Sequence, residues 1–249
     1  MKRVCAVFFA FAAASLLLAP SARAQDTWKF RMTPYVWAMS TSGDGTLGPV
    51  PVSLDASTKE IVKGLDFSLE GYVEATKGGL LLLADSHISK VQIDIAPSAP
   101  LTAGVFTNRM VIVSAAAGRR FAGRYDLYGG IRYYNLDLTA LFDGFPYFFG
   151  ERGVWVDPII GGRVLVPLSP KFAFALRGDV GGFGAGSTFA WMIQPTVTFQ
   201  VTPKMNMLIG YRALKVDRES GREQANFNKD LFQYNVAHLG PGFGMGLSF

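Results

Sequence analysis

The chain has 249 residues, of which 49% are hydrophobic and only 17% charged, and it contains 28 Gly and 20 Phe. The length suits one domain or a small two-domain protein, and this richness in glycine and aromatic residues is unusual for a soluble globule. Beyond the N-terminus no run of about 18 apolar residues occurs, which excludes a helical membrane protein.

The N-terminus predicts a secretory signal peptide. Two basic residues are followed by an apolar core at residues 4–19 and by a small-x-small cleavage motif that ends at Ala24. We therefore expect residues 1–24 to be removed and residues 25–249 to form the mature domain. An uncleaved membrane anchor is the alternative, and the cleavage motif and the short core argue against it.

Removal of this segment changes the charge and the chemistry of the chain. The formal net charge falls from +5 to +2, because Lys2, Arg3 and Arg23 leave with the signal peptide. The remaining basic residues are scattered singly, so no nucleic-acid partner is expected. Cys5 also leaves, so the mature chain has no disulfide and no thiolate metal site. We expect no cofactor.

The first predicted element is a strand at residues 28–39, where apolar and polar residues alternate with a period of two. A Gly/Pro-rich loop is predicted at residues 41–51. Ser57 and Glu60 have the spacing of a capping box, which predicts one or two helical turns within residues 55–64.

Nine further segments show the same alternation and complete a set of ten predicted strands. They lie at residues 66–76, 80–92, 102–119, 125–138, 154–168, 172–180, 188–201, 205–216 and 231–249. In the fourth strand of the set, residues 111–117 are apolar on both faces, so its orientation is left open.

The predicted connections alternate in length. Those after the odd-numbered strands are long, including an aromatic loop at residues 141–153, a glycine loop at 181–187 and a polar loop at 217–229. Those after the even-numbered strands are short turns. This alternation predicts a single up-and-down antiparallel transmembrane β-barrel of about ten strands, with eight or twelve as alternatives. A soluble barrel would require the opposite arrangement, with the apolar face inside.

The last strand shows the two faces most clearly. Bulky apolar residues occupy the odd positions 243–249 and glycines the even positions 240–246. The odd positions are predicted to face lipid and the glycines a crowded lumen.

Several different short motifs are distributed along the chain, at residues 33–37, 65–67 with Glu74, 155–158 with 161–163, 178–184, 210–212 and 240–241, with an aromatic end at Phe249. Together they resemble a family of poorly characterised proteobacterial outer-membrane β-barrel proteins. The resemblance implies an integral protein of the Gram-negative outer membrane that contacts outer-membrane lipid and lipopolysaccharide. It also implies insertion by the barrel-assembly machinery, with Phe249 as the assembly signal. The family implies no activity, and His87 departs from its pattern, where an aromatic residue is more usual.

The inward face is predicted to carry a nearly balanced set of charges. Its members are Arg31, Glu70, Glu74, Asp85, Arg132, Asp157, Arg163, Arg177, Asp179 and Arg212. Charges inside a small barrel must be paired, so we expect a structural or interaction protein whose lumen is largely plugged, with pairs such as Asp157–Arg177 or Asp179–Arg163. The alternative is a narrow channel for small solutes or ions.

One cluster has a catalytic pattern. Asp85, His87 and Ser89 share a strand face, so Asp85 could orient His87 as a general base, or His87 could activate Ser89. The Asp85–His87 pair resembles that of outer-membrane aspartyl-type proteases, and the His87–Ser89 pair resembles that of lipid A deacylases. A hydrogen-bonded lumen histidine is the simpler interpretation of both His87 and His238, and we predict no enzyme activity. Among the aromatic residues, Trp191 and Tyr211 are predicted to face outward in interfacial girdles.

Overall fold

The computed structural model describes residues 27–47, 50–95, 103–143, 148–220 and 232–249. Within these residues, one antiparallel sheet contains twelve strands, and one short helix, α1, spans Thr58–Lys63. The strands are β1 Lys29–Trp37, β2 Ser40–Leu47, β3 Val50–Ser53, β4 Leu65–Lys77, β5 Leu80–Ile95, β6 Gly104–Phe121, β7 Tyr125–Phe142, β8 Phe148–Pro167, β9 Phe172–Gly181, β10 Phe189–Thr202, β11 Met205–Ser220 and β12 Phe232–Ser248. The predicted signal peptide lies outside the described residues.

Ten of the strands close into a barrel. Each of β4 to β12 pairs with its neighbour in sequence, β1 pairs with β4, and β1 also pairs with β12 through Met32–Leu247 and Val36–Phe243. Closure gives every barrel strand two neighbours and removes the unpaired edges of an open sheet. The predicted ten-stranded antiparallel barrel is therefore confirmed. Among the described residues, no helix is both long and apolar enough to cross a membrane.

The short turns and both ends of the described chain lie at one end of the barrel, which we call the turn end; the opposite end is the loop end. At the loop end β12 extends beyond its pairing with β1, which stops at Trp37–Gly242. The strand β2 continues the ladder there, with His238 opposite Thr41, and β3 pairs with β2. The predicted loop at residues 41–51 is thus wrong for the residues described there, because the free edge of β12 gives this segment a pairing partner.

The predicted aromatic loop at residues 141–153 is also largely wrong. The strands β7 and β8 stay paired as far as Leu141–Phe148, so the connection is confined to residues 143–147. The register of paired neighbours overrides the local loop composition here. The capping box is confirmed, since the Ser57 hydroxyl accepts from the Glu60 N–H and the Glu60 carboxylate from the Ser57 N–H.

The two faces of the barrel differ as the alternation predicts. Phe243 and Met245 on β12 are 50% and 42% exposed, whereas Gly246, the residue after Met245, is buried. The undecided strand, β6, turns its even residues inward, with Met110 and Ile112 almost fully buried. The inward residues form two layers, a charged one towards the turn end and an apolar one towards the loop end.

Candidate functional site in the barrel lumen

The charged layer begins at the turn end with a ring of four side chains. Arg120 contacts Glu74 at 2.9 Å and Asp126 at 2.8 Å. Arg163 contacts the same two carboxylates, at 2.8 Å and 2.6 Å respectively. Each guanidinium therefore bridges both acids, and the arrangement uses the forked donors that suit arginine to such sites.

A second group lies deeper and crosses the lumen. Asp85 on β5 contacts Arg177 on β9 at 2.9 Å and Arg212 on β11 at 3.4 Å. The Tyr35 hydroxyl on β1 donates to Asp85 at 2.7 Å and accepts from Arg212 at 2.9 Å. Four strands from different sides of the barrel thus meet at one carboxylate.

The third group joins β7 to β9. Arg132 donates from Nη2 to both oxygens of Asp179, at 2.8 and 2.9 Å, and from Nε to the Ser114 hydroxyl at 3.0 Å. Both members of the ion pair have side chains that are 0% exposed. This pair is the most completely dehydrated contact among the ion pairs of the described residues.

The pairing differs from the sequence prediction. Neither Asp157–Arg177 nor Asp179–Arg163 forms, because the register places Arg163 opposite Arg177 and the long guanidinium side chains reach acids across the narrow lumen instead. Asp157 accepts the Ser187 N–H at 2.6 Å.

Most of the predicted inward residues lie where the alternation placed them, with one exception. Glu70, Glu74, Asp85, Arg132, Asp157, Arg177, Asp179 and Arg212 are buried, and Arg163 is half-buried. Arg31 is exposed, because its position near the start of β1 places it at the rim of the turn end.

Three lumen charges were missed, among them Arg218, which was predicted to lie in the polar loop at residues 217–229 but lies on β11 over the Trp155 ring. Asp126 lies an even number of positions from Tyr128 and Arg132 on the same strand, so the alternation of faces could have placed it in the lumen with them. Arg120 lies just beyond the predicted end of a strand whose orientation was open. Phe249 is 75% exposed, and its backbone N–H donates to the Phe30 carbonyl.

The histidine cluster forms a chain that the sequence did not predict. His87 Nδ1 lies 2.8 Å from Glu70 Oε1, and His87 Nε2 lies 3.1 Å from the Ser89 hydroxyl. The Nδ1 contact has an ion-pair distance but not the angle of a directed hydrogen bond, so it orients the ring only weakly. The expected partner, Asp85, is engaged by arginines instead.

The other histidine is fully hydrogen-bonded. His238 Nδ1 lies 3.1 Å from the Thr41 hydroxyl and Nε2 lies 2.8 Å from the Tyr234 hydroxyl. No group of three or more metal-binding side chains occurs among the described residues.

The aromatic residues divide between the two faces. Trp37 and Trp155 pack inside the apolar layer, where Arg212 and Arg218 lie over their rings at 4.8 and 4.7 Å. Tyr211 is 48% exposed on the outer face, and Trp191 is half-buried there.

Comparisons with known proteins assign neither a family nor a function to the chain. No protein-family model matches the sequence, and no curated protein sequence matches it. Among solved structures, the chain is similar to Neisserial surface protein A, with 11% identity and a TM-score of 0.34, covering 90% of this chain and 100% of that one. It is similar to the translocator domain of autotransporter NalP from Neisseria meningitidis, with 12% identity, 99% and 98% coverage and a TM-score of 0.34.

A third likeness is to an anion-selective porin from Comamonas acidovorans, with 15% identity, 73% of this chain covered and a TM-score of 0.32. The match spans 49% of that porin, about half its length. At these TM-scores none of the likenesses assigns a function to this chain. The resemblance to a proteobacterial family therefore stays a prediction.

Proposed function

We propose that the chain is an integral outer-membrane barrel with a structural or interaction role and a lumen closed by its own side chains. The outward face supports a membrane location. Large apolar side chains are 40–60% exposed around the barrel, among them Val36 at 60%, Leu69 at 57%, Ile160 at 60% and Ile209 at 53%. A closed barrel with an apolar outer face suits a lipid environment, because lipid offers no hydrogen-bonding partner to a free strand edge.

The predicted signal peptide supports export, with cleavage after Ala24. Insertion by the barrel-assembly machinery, with Phe249 as its signal, completes the proposal. Two measurements test it. Native protein should fractionate with outer membranes, and unboiled and boiled samples should migrate differently on a detergent gel because the closed barrel unfolds slowly. Soluble fractionation together with identical migration would contradict it.

The plugged lumen rests on one observation, the 0% exposure of both side chains of the Arg132–Asp179 pair. A water-filled channel would leave the charged groups of its wall accessible to solvent. Purified protein in planar bilayers is expected to show no steady unitary conductance, and such a conductance would overturn the plug. Simultaneous neutralisation of Arg132, Arg163 and Arg177 tests the channel alternative, since a channel would change its conductance or selectivity.

Hydrolysis is a second candidate, favoured by the Glu70–His87–Ser89 chain of contacts. A general base next to a hydroxyl is the arrangement that activates a nucleophile. However, His87 and Ser89 are 2% and 5% exposed, which leaves no room for a substrate beside them. We therefore propose that the barrel is not an enzyme. An altered lipid A profile or peptide-cleavage profile in cells expressing His87→Ala, compared with wild type, would revive this candidate.

A further inference from the structure

A cavity of about 280 Å³ lies at the loop end of the lumen, beneath β2, β3 and α1, which together we call the strap (residues 40–63). It is separate from the charged layer. Its apolar wall includes Val91, Ile93, Phe106 and Leu138 from the barrel and Leu54 and Ile61 from the strap. The strap therefore covers part of what would otherwise be the open mouth of the barrel.

The volume of the cavity and its apolar lining favour a compact apolar ligand. An apolar protein cavity of about 150 Å³ holds benzene and excludes water, so this cavity has room for about two fused rings. Water in such a place needs two to four polar partners, and the wall offers few. The apolar side chains gain contact with an apolar guest that they lack in an empty chamber.

The polar groups at the wall are satisfied, with one exception. Thr41 and Tyr234 hydrogen-bond to His238, and Asp55 accepts from the Ser53 hydroxyl at 2.9 Å and from the Gly43 N–H at 3.0 Å. Among the described side chains that line the cavity, only Asn108 has a buried polar atom, Oδ1, without a hydrogen-bond partner. A buried unpaired acceptor is costly, and a guest with a hydroxyl group can pair with either end of the amide.

We propose that this cavity binds a small amphipathic molecule, with an apolar body of about two fused rings and one hydroxyl group that pairs with Asn108. The body lies between the barrel wall and the strap. The inference goes beyond the plugged barrel, because the site lies on the loop-end side of the ion pairs and does not depend on whether they block conduction.

Two probes of matched shape test the proposal, 2-naphthol and naphthalene. The mature protein in detergent micelles is dialysed to equilibrium against protein-free micelles of the same detergent, which corrects for partition into the micelle. We expect saturable binding of one 2-naphthol per chain and roughly tenfold weaker binding of naphthalene, since naphthalene leaves Asn108 unpaired.

Variants identify the site. In Asn108→Leu the preference for 2-naphthol over naphthalene should fall to about one. The control Asn235→Leu makes the same change on the exposed face of β12 and should keep the preference. Ala56→Phe fills the cavity from the strap, leaving the barrel wall intact, and should abolish binding of both probes in protein that still shows heat modifiability.

Three results would overturn the proposal: no saturable binding above the micelle control, an unchanged preference in Asn108→Leu, or wild-type binding in Ala56→Phe. None of them bears on the conductance test of the plug, so the two proposals fail separately.

Discussion

Removing one partner of the Arg132–Asp179 pair should destabilise the barrel strongly. The substitution Arg132→Met keeps an unbranched chain of similar shape but removes the charge and the donors to Asp179 and Ser114. The remaining carboxylate then loses its ion-pair partner at a position with 0% exposure. Breaking a buried pair in this way costs about 3–5 kcal/mol, because one charge is left buried without its partner.

Two comparisons separate this cost from general disruption of the lumen. The double variant Arg132→Met/Asp179→Leu removes both charges, and apolar replacement of a buried pair is often neutral, so it should recover most of the loss. Lys90→Met breaks the Lys90–Asp66 pair, which is 2.5 Å long with side chains 32% and 41% exposed, and an exposed pair contributes only about 0–1 kcal/mol.

The assay is reversible urea unfolding of barrels folded into detergent, followed by tryptophan fluorescence and by the fraction of heat-modifiable protein. If Arg132→Met unfolds at the same urea concentration as Lys90→Met, the pair is not the desolvated contact described above. A double variant as unstable as the single one would show that packing volume, and not charge, holds the lumen together.

Two further predictions follow from the wall and from the strap. Gly244→Leu should lower the yield of folded protein far more than Phe243→Leu, because a Cβ at Gly244 would lie 2.8 Å from the Cβ of Tyr35 while Phe243 is half-exposed on the outer face; equal folded fractions on an unboiled gel would contradict this facing. The Ser53 hydroxyl, and then the Gly43 N–H, hold the pKa of the exposed Asp55 carboxyl below its ordinary value, so these bonds stabilise the strap at neutral pH and are lost as the pH falls through and below the usual aspartate range. A spin label on α1 should gain less mobility over that range in Asp55→Asn than in wild type, and the Glu60 carboxylate of the capping box contributes to the change in both proteins. An equal pH dependence in the two proteins would refute the role of Asp55.

Much of the barrel could be predicted from the sequence because a strand has a period of two. Once Phe243 and Met245 face outward, the intervening glycines face the lumen, and the same parity assigns Glu70, Asp85 and Arg132 to the interior. The only requirement is that each strand be apolar on one face. β6 fails this requirement, and its inward residue Arg120 was missed as a result.

The strap was missed for a different reason. Its residues have the composition of a loop. The strand β2 forms because the part of β12 nearest the loop end does not pair with β1. That vacancy depends on the relative lengths and tilt of strands far apart in sequence. The cavity depends on it in turn, since its lining combines the strap with β5, β6 and β7.

The sequence by itself determined which side chains enter the lumen, because alternation is a local property of each strand. Only the tertiary structure decided which partners they find there. Arginine side chains span a closed lumen, so Asp85 meets Arg177 and Arg212 from other sides of the barrel, and Glu70, not Asp85, comes to His87. Such contacts depend on closure and on register accumulated around ten strands, and no local pattern specifies them.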